Sequence, residues 1–276
     1  MNNQVYWLGA DDRGRGIVYV ANGYQGQRVS THSVEWQIQQ YGSMTDAIGF
    51  TYQQDGHSFY VLVFPTAAKT WVYDASTGAW HERAGWDNQW TRYRAQTQVF
   101  YNNENLVGDY ENGNLYAFDL NNYDYNGEVQ RWLRSWRALP TGQNNLRRTA
   151  QHSLQLDCET GVGLEQYPGY DAEDLTAEDG AILIAEDGSI LTTTSYSAAP
   201  GYDPQAMLRW SDDGGHTWSN EHWRSMGKIG AFGYRTIWRR LGMTMKIRDR
   251  VYEVSGTDPV KIAIMGAELQ ISSTDA

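Results

Sequence analysis

The residues that raise a question of chemistry lie in the stretch RWSDDGGHTWS, Arg209 to Ser219. Five of them fit the pattern Ser-x-Asp-x-Gly-x-Thr-Trp, namely Ser211, Asp213, Gly215, Thr217 and Trp218. This pattern is the Asp-box, a hairpin turn found in sialidases and in many β-propellers that have no enzymatic activity. The chemistry at issue is therefore glycoside hydrolysis, which needs two carboxylates on either side of the scissile bond.

Other signatures of catalysis are missing from the sequence. With 33 acidic residues, no pair of carboxylates stands out as a catalytic pair. The six histidines form neither an H-x-H nor an H-E-x-x-H arrangement, and there is no G-x-S-x-G elbow or phosphate-binding loop. In an Asp-box the aspartate secures the turn and the tryptophan packs between sheets. We therefore expect an architectural turn in a protein that is not an enzyme, with no cofactor and no bound metal.

The composition favours an all-β fold. Of the 276 residues, 13% are Trp, Tyr or Phe and 28 are Gly, which is typical of short strands joined by tight turns. Cys158 is the only cysteine, which excludes an internal disulfide. No segment approaches the roughly 18 consecutive apolar residues of a membrane helix, and the first residues lack the regions of a signal peptide. We expect a protein that has no membrane anchor and is assembled in the cytoplasm.

Several segments share one rhythm, in which an alternating strand is followed by a Gly/Asp/Asn turn and a second alternating strand. They are VYWLGADDRGRGIVYVANG, SFYVLVFPTAAKTWVYDASTGAWHE, ENLVGDYENGNLYAFDLNNYDYNG and MLRWSDDGGHTWSNEHW. Repeats of about 45 to 50 residues, each a small antiparallel sheet, are typical of β-propeller blades. One such sheet cannot bury both faces alone, so we predict stacked blades with aromatic residues such as Trp71 and Trp80 between them. A β-sandwich with an aromatic core is the alternative.

The pattern divides the chain into propeller blades in residues 1–164, an acidic insertion in 165–204, and remaining propeller strands in 205–276. Within the insertion the unit EDGAIL returns as EDGSIL after eight residues, with Asp-Gly turns between short apolar runs. We predict a hairpin arm that packs against a neighbouring chain; a surface insertion without a partner is the alternative. Four of its acids are candidate contact residues: Glu178, Asp179, Glu186 and Asp187.

Charge is segregated along the chain, whose net charge is −11. Nine acids and no Lys or Arg lie between Glu165 and Asp203, whereas nine Lys or Arg lie between Arg224 and Lys261 against three acids. Such segregation indicates contacts with other macromolecules, although a solvated acidic loop beside ordinary surface cations gives the same pattern. The candidate contact residues of the basic stretch are Arg235, Arg239, Arg240, Lys246, Arg248 and Arg250.

Long runs of the sequence resemble the packaged-DNA stabilisation proteins of short-tailed phages. These runs are Trp7 to Glu35, Ser58 to Arg83, Met207 to Gly242 and Arg248 to Leu269. The resemblance spans most of the chain outside the acidic insertion, and it implies a structural virion protein of the tail that contains a β-propeller and has no catalytic residues. Members of that family are longer at the N-terminus, which leaves open a fragment, a C-terminal half or one of two split products.

The resemblance also implies a set of partners. Copies of the subunit would form a ring, a hexamer in that family's tails, with portal and adaptor proteins above and a tail needle, spikes or fibres below. The ring would close the portal channel after packaging, and packaged double-stranded DNA would leave through it. An acidic ring lets DNA slide, since each Lys or Arg that binds a phosphate helps to hold the DNA in place. The basic stretch either faces an acidic neighbour or grips the DNA end; because both faces of the strand YRTIWRRLGM are mixed, we favour a protein contact.

Two other functions stay open. A carbohydrate-binding or glycan-degrading propeller on a phage tail would use exposed aromatic residues of GWDNQWTRYRAQ, with Trp86 and Trp90 as a sugar platform. If these two residues pack between blades instead, replacing both with alanine unfolds the protein. A free-standing propeller scaffold of a cellular host would be a stable monomer with no affinity for tail components.

Overall fold

The computed structural model describes residues 4–12, 14–137, 148–164, 175–177, 180–186, 188, 190–191, 200–244 and 250–273. Within these residues the regular structure consists of nineteen strands and one helix, so the all-β fold class is confirmed. The chain divides into two compact units, residues 1–120 and residues 121–276. The described part of the chain contains no helix that is long and apolar enough to span a membrane.

The first unit is built from hairpins. Its elements are β1 Tyr6–Asp11, β2 Gly14–Asn22, β3 Gln25–Arg28, α1 His32–Gln39, β4 Ile48–Gln54, β5 His57–Phe64, β6 Lys69–Asp74, β7 Ala79–Arg83, β8 Gly85–Trp86, β9 Trp90–Thr91, β10 Ala95–Tyr101, β11 Glu104–Asp109 and β12 Leu115–Ala117. They form the antiparallel sheets β1–β2–β3, β4–β5–β6–β7, β8–β9 and β10–β11–β12. Every sheet joins neighbours in chain order, as the strand-and-turn rhythm predicts.

The sheet β4–β7 lies in the middle of a stack. The evidence is its strand β5, whose side chains are buried on both faces of the sheet. Leu62 and Phe64 join Val18 of β2 in one core, and Val63 joins a second core against which Phe118 packs. A continuous apolar run is what burial of both faces requires, and an alternating strand would expose one of them. The sheet β1–β3 therefore covers one face of β4–β7, and the chain of β10–β12 covers the other.

The turn between β6 and β7 is fixed by Asp74. Its carboxylate accepts hydrogen bonds from Ser76 N at 2.9 Å and from Thr77 Oγ1 at 2.8 Å, and it lies 2.8 Å from His57 Nδ1. Burial opposes ionisation of this carboxylate, but the hydrogen bonds outweigh it, and the pKa of Asp74 is lowered. The turn leads into Trp80, whose indole N–H donates to Val29 O at 2.9 Å and so ties β7 to the chain that follows β3.

Asp74→Asn should lower the free energy of unfolding at pH 7 by about 1–3 kcal/mol, since it removes the charge that these donors bind. The folded-state pKa lies below the ordinary value of 3.8, so the contribution is present above that value and is lost as the pH falls through the folded-state pKa. We therefore expect a shallower acid limb below about pH 4 in the variant. Urea unfolding at a series of pH values measures it, with the exposed Asp157→Asn as control; equal acid slopes in Asp74→Asn and wild type would contradict the assignment.

The second unit has a different topology. Its strands are β13 Trp132–Arg137, β14 Thr149–Cys158, β15 Gln205–Ser211, β16 His222–Ser225, β17 Thr236–Arg239, β18 Val251–Gly256 and β19 Ile264–Ser273. They form the two antiparallel sheets β13–β18–β15–β16 and β17–β14–β19. Most neighbours in these sheets come from distant parts of the chain.

The two sheets of the second unit pack face to face around one core. Leu208 and Tyr252 from the first sheet and Trp238 from the second are each at most 2% exposed. Tyr252 also donates from its hydroxyl to Gln151 Oε1 at 2.9 Å, and burial raises the pKa of Tyr252 to about 12. Two sheets around one core form a β-sandwich, which differs from the further propeller strands expected for residues 205–276. An Asp-box fixes only a turn between antiparallel strands, so it does not distinguish the two folds.

Candidate assembly surface

The Asp-box residues close the turn that follows β15. Ser211 Oγ donates to Asp213 Oδ1 at 2.6 Å, and the same oxygen accepts from the backbone N–H groups of His216 and Thr217 at 2.9 and 2.8 Å. Thr217 Oγ1 donates to Asp213 Oδ2 at 2.6 Å. The hydrogen bond from Ser211, followed by those from Thr217, holds the pKa of Asp213 well below its usual range. Gly215 adopts φ 105°, a conformation that side chains disfavour.

Trp218, the last residue of the Asp-box, packs against the side chain of Arg209. The guanidinium carbon of Arg209 lies 4.7 Å from the centroid of its ring, and Arg209 Nε donates to Glu253 Oε1 at 2.5 Å. Both oxygens of Asp213 are occupied by the turn, so this carboxylate is poorly placed to act as an acid or a nucleophile. The described residues contain no cluster of three metal-ligating side chains.

Arg250 is an interior residue, although the sequence grouped it with surface cations. Its side chain is only 2% exposed. The buried guanidinium is satisfied because it donates from Nε and Nη2 to the two carboxylate oxygens of Asp212 at 2.6 and 2.7 Å. It also donates to the carbonyl oxygens of Leu241 at 2.8 Å and Met243 at 3.2 Å. Arg250 therefore ties the Asp-box turn to the chain that follows β17. Asp212 occupies the variable position of the box between Ser211 and Asp213, and an acid at that position was the signal for this role.

Three other predicted cations lie together at the surface. Trp238 of β17 faces the core, so alternation places Arg239 on the opposite side, where it is exposed. Arg235 immediately precedes β17 and is exposed as well. Arg240 follows β17 and is exposed too. Arg224 of β16 is exposed and donates from Nε to a carbonyl oxygen of β17 at 3.3 Å. We call these four arginines the basic surface.

The acidic insertion is described only in part. Five of the predicted contact residues lie outside the described residues: Glu178, Asp179, Asp187, Lys246 and Arg248. Glu186 is described and is exposed. The role of all these residues in contacts stays a prediction, as do the boundaries at residues 164 and 204.

The eight-residue repeat of the insertion forms a closed cycle of backbone hydrogen bonds, which the sequence did not predict. Leu175 N donates to Leu191 O at 2.8 Å, Leu191 N donates to Leu183 O at 2.9 Å, and Leu183 N donates to Leu175 O at 2.8 Å. Equivalent positions of the repeat thus bond to one another. Ile182 and Ile184 beside them are 48% and 62% exposed, so this element presents apolar side chains to solvent.

The aromatic residues of the glycan alternative lie in the first unit. Trp86 and Trp90 face each other across the β8–β9 hairpin, with ring centroids 5.0 Å apart and an edge-to-face geometry. The two rings pack on each other within one hairpin, and Trp90 stays 44% exposed, so this contact is not packing between blades.

Comparison with known protein families matches each unit separately. Residues 1–123 match the family described as bacteriophage P22 Gp10, β-propeller. Residues 172–272 match the family described as bacteriophage P22 Gp10, β-sandwich. The chain belongs to the bacteriophage P22 Gp10 family. A search of curated proteins found no match.

Membership of the Gp10 family confirms the resemblance drawn from the sequence. The chain is a structural phage protein of the tail-stabilisation class, and as a virion protein it assembles with other virion proteins. The Gp10 propeller match lies on the sheet stack of the first unit, and the Gp10 sandwich match overlaps the two-sheet core of the second.

Proposed function

We propose that the protein is a hub subunit of the phage tail that closes the portal channel after packaging, stabilises the packaged DNA and lines part of the ejection conduit. It works as a ring, with six as the expected number of copies, between the portal and adaptor proteins and the tail needle, spikes or fibres. The observation that carries this proposal is the pair of Gp10 matches, one on each unit.

The protein acts by its structure and not by catalysis. The motif that raised the possibility of glycoside hydrolysis is a turn whose aspartate binds Ser211 and Thr217. The pairing of His57 with the buried Asp74 holds another turn. Both motifs therefore have a structural use in the fold.

Neighbouring subunits are joined by contact between the acidic insertion of one copy and the basic surface of the next. Between Glu165 and Asp203 the insertion has nine acids and no Lys or Arg, and the basic surface exposes four arginines. Opposite charge guides association and suppresses wrong pairings. Because the two surfaces differ, the contact is heterologous, and a heterologous contact closes into a ring when the rotation between copies allows it.

The overall charge suits passage of DNA. A net charge of −11 on each subunit, repeated around a ring, repels phosphates. Bound phosphates would instead release counterions and hold the DNA in place. The arginines of the basic surface are better used against the acidic insertion than against the DNA.

Changing Arg235, Arg239 and Arg240 to glutamate tests the proposed contact. All three are exposed, so the sandwich should stay folded, but like charges would then face each other between copies. We expect the affinity between subunits to fall by about 100-fold or more. Sedimentation velocity measures the loss of rings, and incorporation into tails that lack the subunit measures the loss of function.

The control carries the same change in net charge at other exposed positions of the second unit: Arg134, Lys228 and Arg137 changed to glutamate. This control should assemble as wild type does. If the variant with glutamate at positions 235, 239 and 240 formed rings as tightly as wild type, the proposed contact would be contradicted. If the wild-type chain failed to join tails, the proposed function would be contradicted.

A further inference from the structure

The loop between β16 and β17 presents apolar side chains to solvent beside the basic surface. Ile229 is 49% exposed, Phe232 is 77% exposed and Tyr234 is 44% exposed. Tyr234 directly precedes Arg235, and Arg224 lies on β16, just before the loop begins. This part of the sandwich therefore combines apolar side chains in water with positive charge. We call Ile229, Phe232 and Tyr234 the apolar loop.

The backbone of the apolar loop is fixed, although its side chains are in water. Thr160 Oγ1 donates to Phe232 O at 2.9 Å, and Gly230 N donates to Gly161 O at 3.2 Å. Gly161 has φ 79°, and an added Cβ there would come within 3.0 Å of Phe232 N, so glycine is needed for this close approach. A surface that is ordered before binding loses less entropy when a partner covers it. Since aromatic residues and arginines are also enriched at protein contacts, the apolar loop has the properties of a preformed contact site.

The acidic insertion carries a second apolar surface. The cycle of backbone hydrogen bonds among Leu175, Leu183 and Leu191 joins the first of these residues to the last, so this segment closes on itself. We call its described residues from Leu175 to Leu191 the insertion head. Six apolar side chains of the head are between 37% and 62% exposed: Leu175, Ile182, Leu183, Ile184, Ile190 and Leu191. So many apolar side chains in one small exposed segment indicate a contact site.

We propose that the insertion head of one copy packs its apolar side chains on the apolar loop of the next copy. The inference rests on the proposed contact between insertion and basic surface, to which it adds an apolar centre. Head and loop are both exposed within a single chain, so the described part of the head does not cover the loop of its own copy.

A second copy is the favoured occupant of the apolar loop because its insertion matches the loop in two ways. The head supplies branched apolar side chains for Phe232 and Tyr234, and the insertion supplies nine acids and no Lys or Arg beside Arg224 and Arg235. An apolar centre with a charged rim is the usual arrangement of a specific protein contact. In such a contact the rim charges guide association, and the apolar centre provides the part of the affinity that salt does not screen.

The test uses two variants of the full chain that remove apolar area without a change in charge. One carries Phe232→Ser in the apolar loop, and the other carries Ile182→Ser and Ile184→Ser in the head. Because these side chains are exposed, both variants should stay folded. We expect each to lower the affinity between copies by about 30-fold or more, as loss of a central contact residue does. Met265→Ser, at a residue 74% exposed elsewhere in the second unit, is the control and should assemble as wild type does.

Sedimentation velocity over a concentration series measures these affinities, at low salt and at about 1 M NaCl, where charges more than about 3 Å apart are screened. Wild-type rings should persist in high salt. A mixture of the two variants should form pairs, because the head of the Phe232→Ser chain still fits the loop of the other chain. Such pairs do not close into rings, since their remaining head and loop are both altered.

The outcomes separate this inference from the proposed function. If either variant formed rings as tightly as wild type, if wild-type rings dissociated in high salt, or if the mixture formed no pairs, the apolar contact between copies would be overturned and the hub function would stand. If Phe232→Ser weakened the rings but wild-type rings did not join tails, only the hub function would be contradicted. A wild-type chain that stayed monomeric would overturn both.

Discussion

Arg250→Ala should lower the free energy of unfolding by about 3–5 kcal/mol, the largest effect expected in the second unit. Arg250 is buried, and its guanidinium supplies hydrogen bonds to Asp212 and to two backbone carbonyl oxygens. Removing it leaves the carboxylate of Asp212 and those carbonyl oxygens without their donors. Urea unfolding followed by tryptophan fluorescence measures the loss, since Trp210 lies 5.6 Å from the guanidinium carbon.

Two further variants separate this effect from a general loss of positive charge. Arg239→Ala removes an exposed arginine of the same unit and should change stability by no more than about 0.5 kcal/mol. The double variant Asp212→Ala, Arg250→Met should regain part of the loss, because both partners of the pair are then removed together. If Arg250→Ala lowered the free energy of unfolding by less than about 1 kcal/mol, Arg250 would not hold the Asp-box turn to the chain that follows β17.

Phe64→Ala should destabilise the first unit by about 3–5 kcal/mol. Phe64 is fully buried at the end of β5, where its ring meets Tyr41 edge-on with centroids 5.0 Å apart. Deleting the ring leaves a cavity between the sheet β4–β7 and the elements that cover it. Hydrogen exchange measured by mass spectrometry should show faster exchange in peptides of β4–β7.

Phe100→Ala is the matched control, because Phe100 is 63% exposed in the same unit. It should leave exchange in β4–β7 unchanged. If Phe64→Ala accelerated exchange equally in β15 and β18, the two units would not unfold as separate cooperative bodies, and the division of the chain would be contradicted.

The hairpins of the first unit could be predicted because their signals are local. The Asn/Gly turn of the third segment predicted the turn between β11 and β12, where Asn112-Gly113 lies. The run SFYVLVF was predicted as a strand too, but as an alternating one, whereas β5 is buried on both faces. The helix α1 was missed, although Thr31 is a standard N-cap residue and accepts from Val34 N at 3.4 Å. Its eight residues follow a strand-rich stretch and have a weak apolar face.

The sandwich could not be predicted in the same way. Strand β13 pairs with β18 and β14 pairs with β19, and each pair joins residues more than a hundred positions apart. No turn fixes such a register; the packing of side chains such as Leu154 and Trp238 does.

The Asp-box and Arg250 differ in the same way, since one depends on local residues and the other on distant ones. The Asp-box was recognisable because all its hydrogen bonds lie within a few residues. Arg250 was misplaced because its burial depends on Asp212, which lies on the other side of β16 and β17 in the sequence.

Electron microscopy of the purified chain, alone and mixed with tails that lack it, shows whether the protein is a ring-forming hub of the tail. We expect rings with a central hole, and added density below the adaptor in the mixed sample. Isolated compact particles that do not bind the tails would contradict a hub role for this member of the Gp10 family.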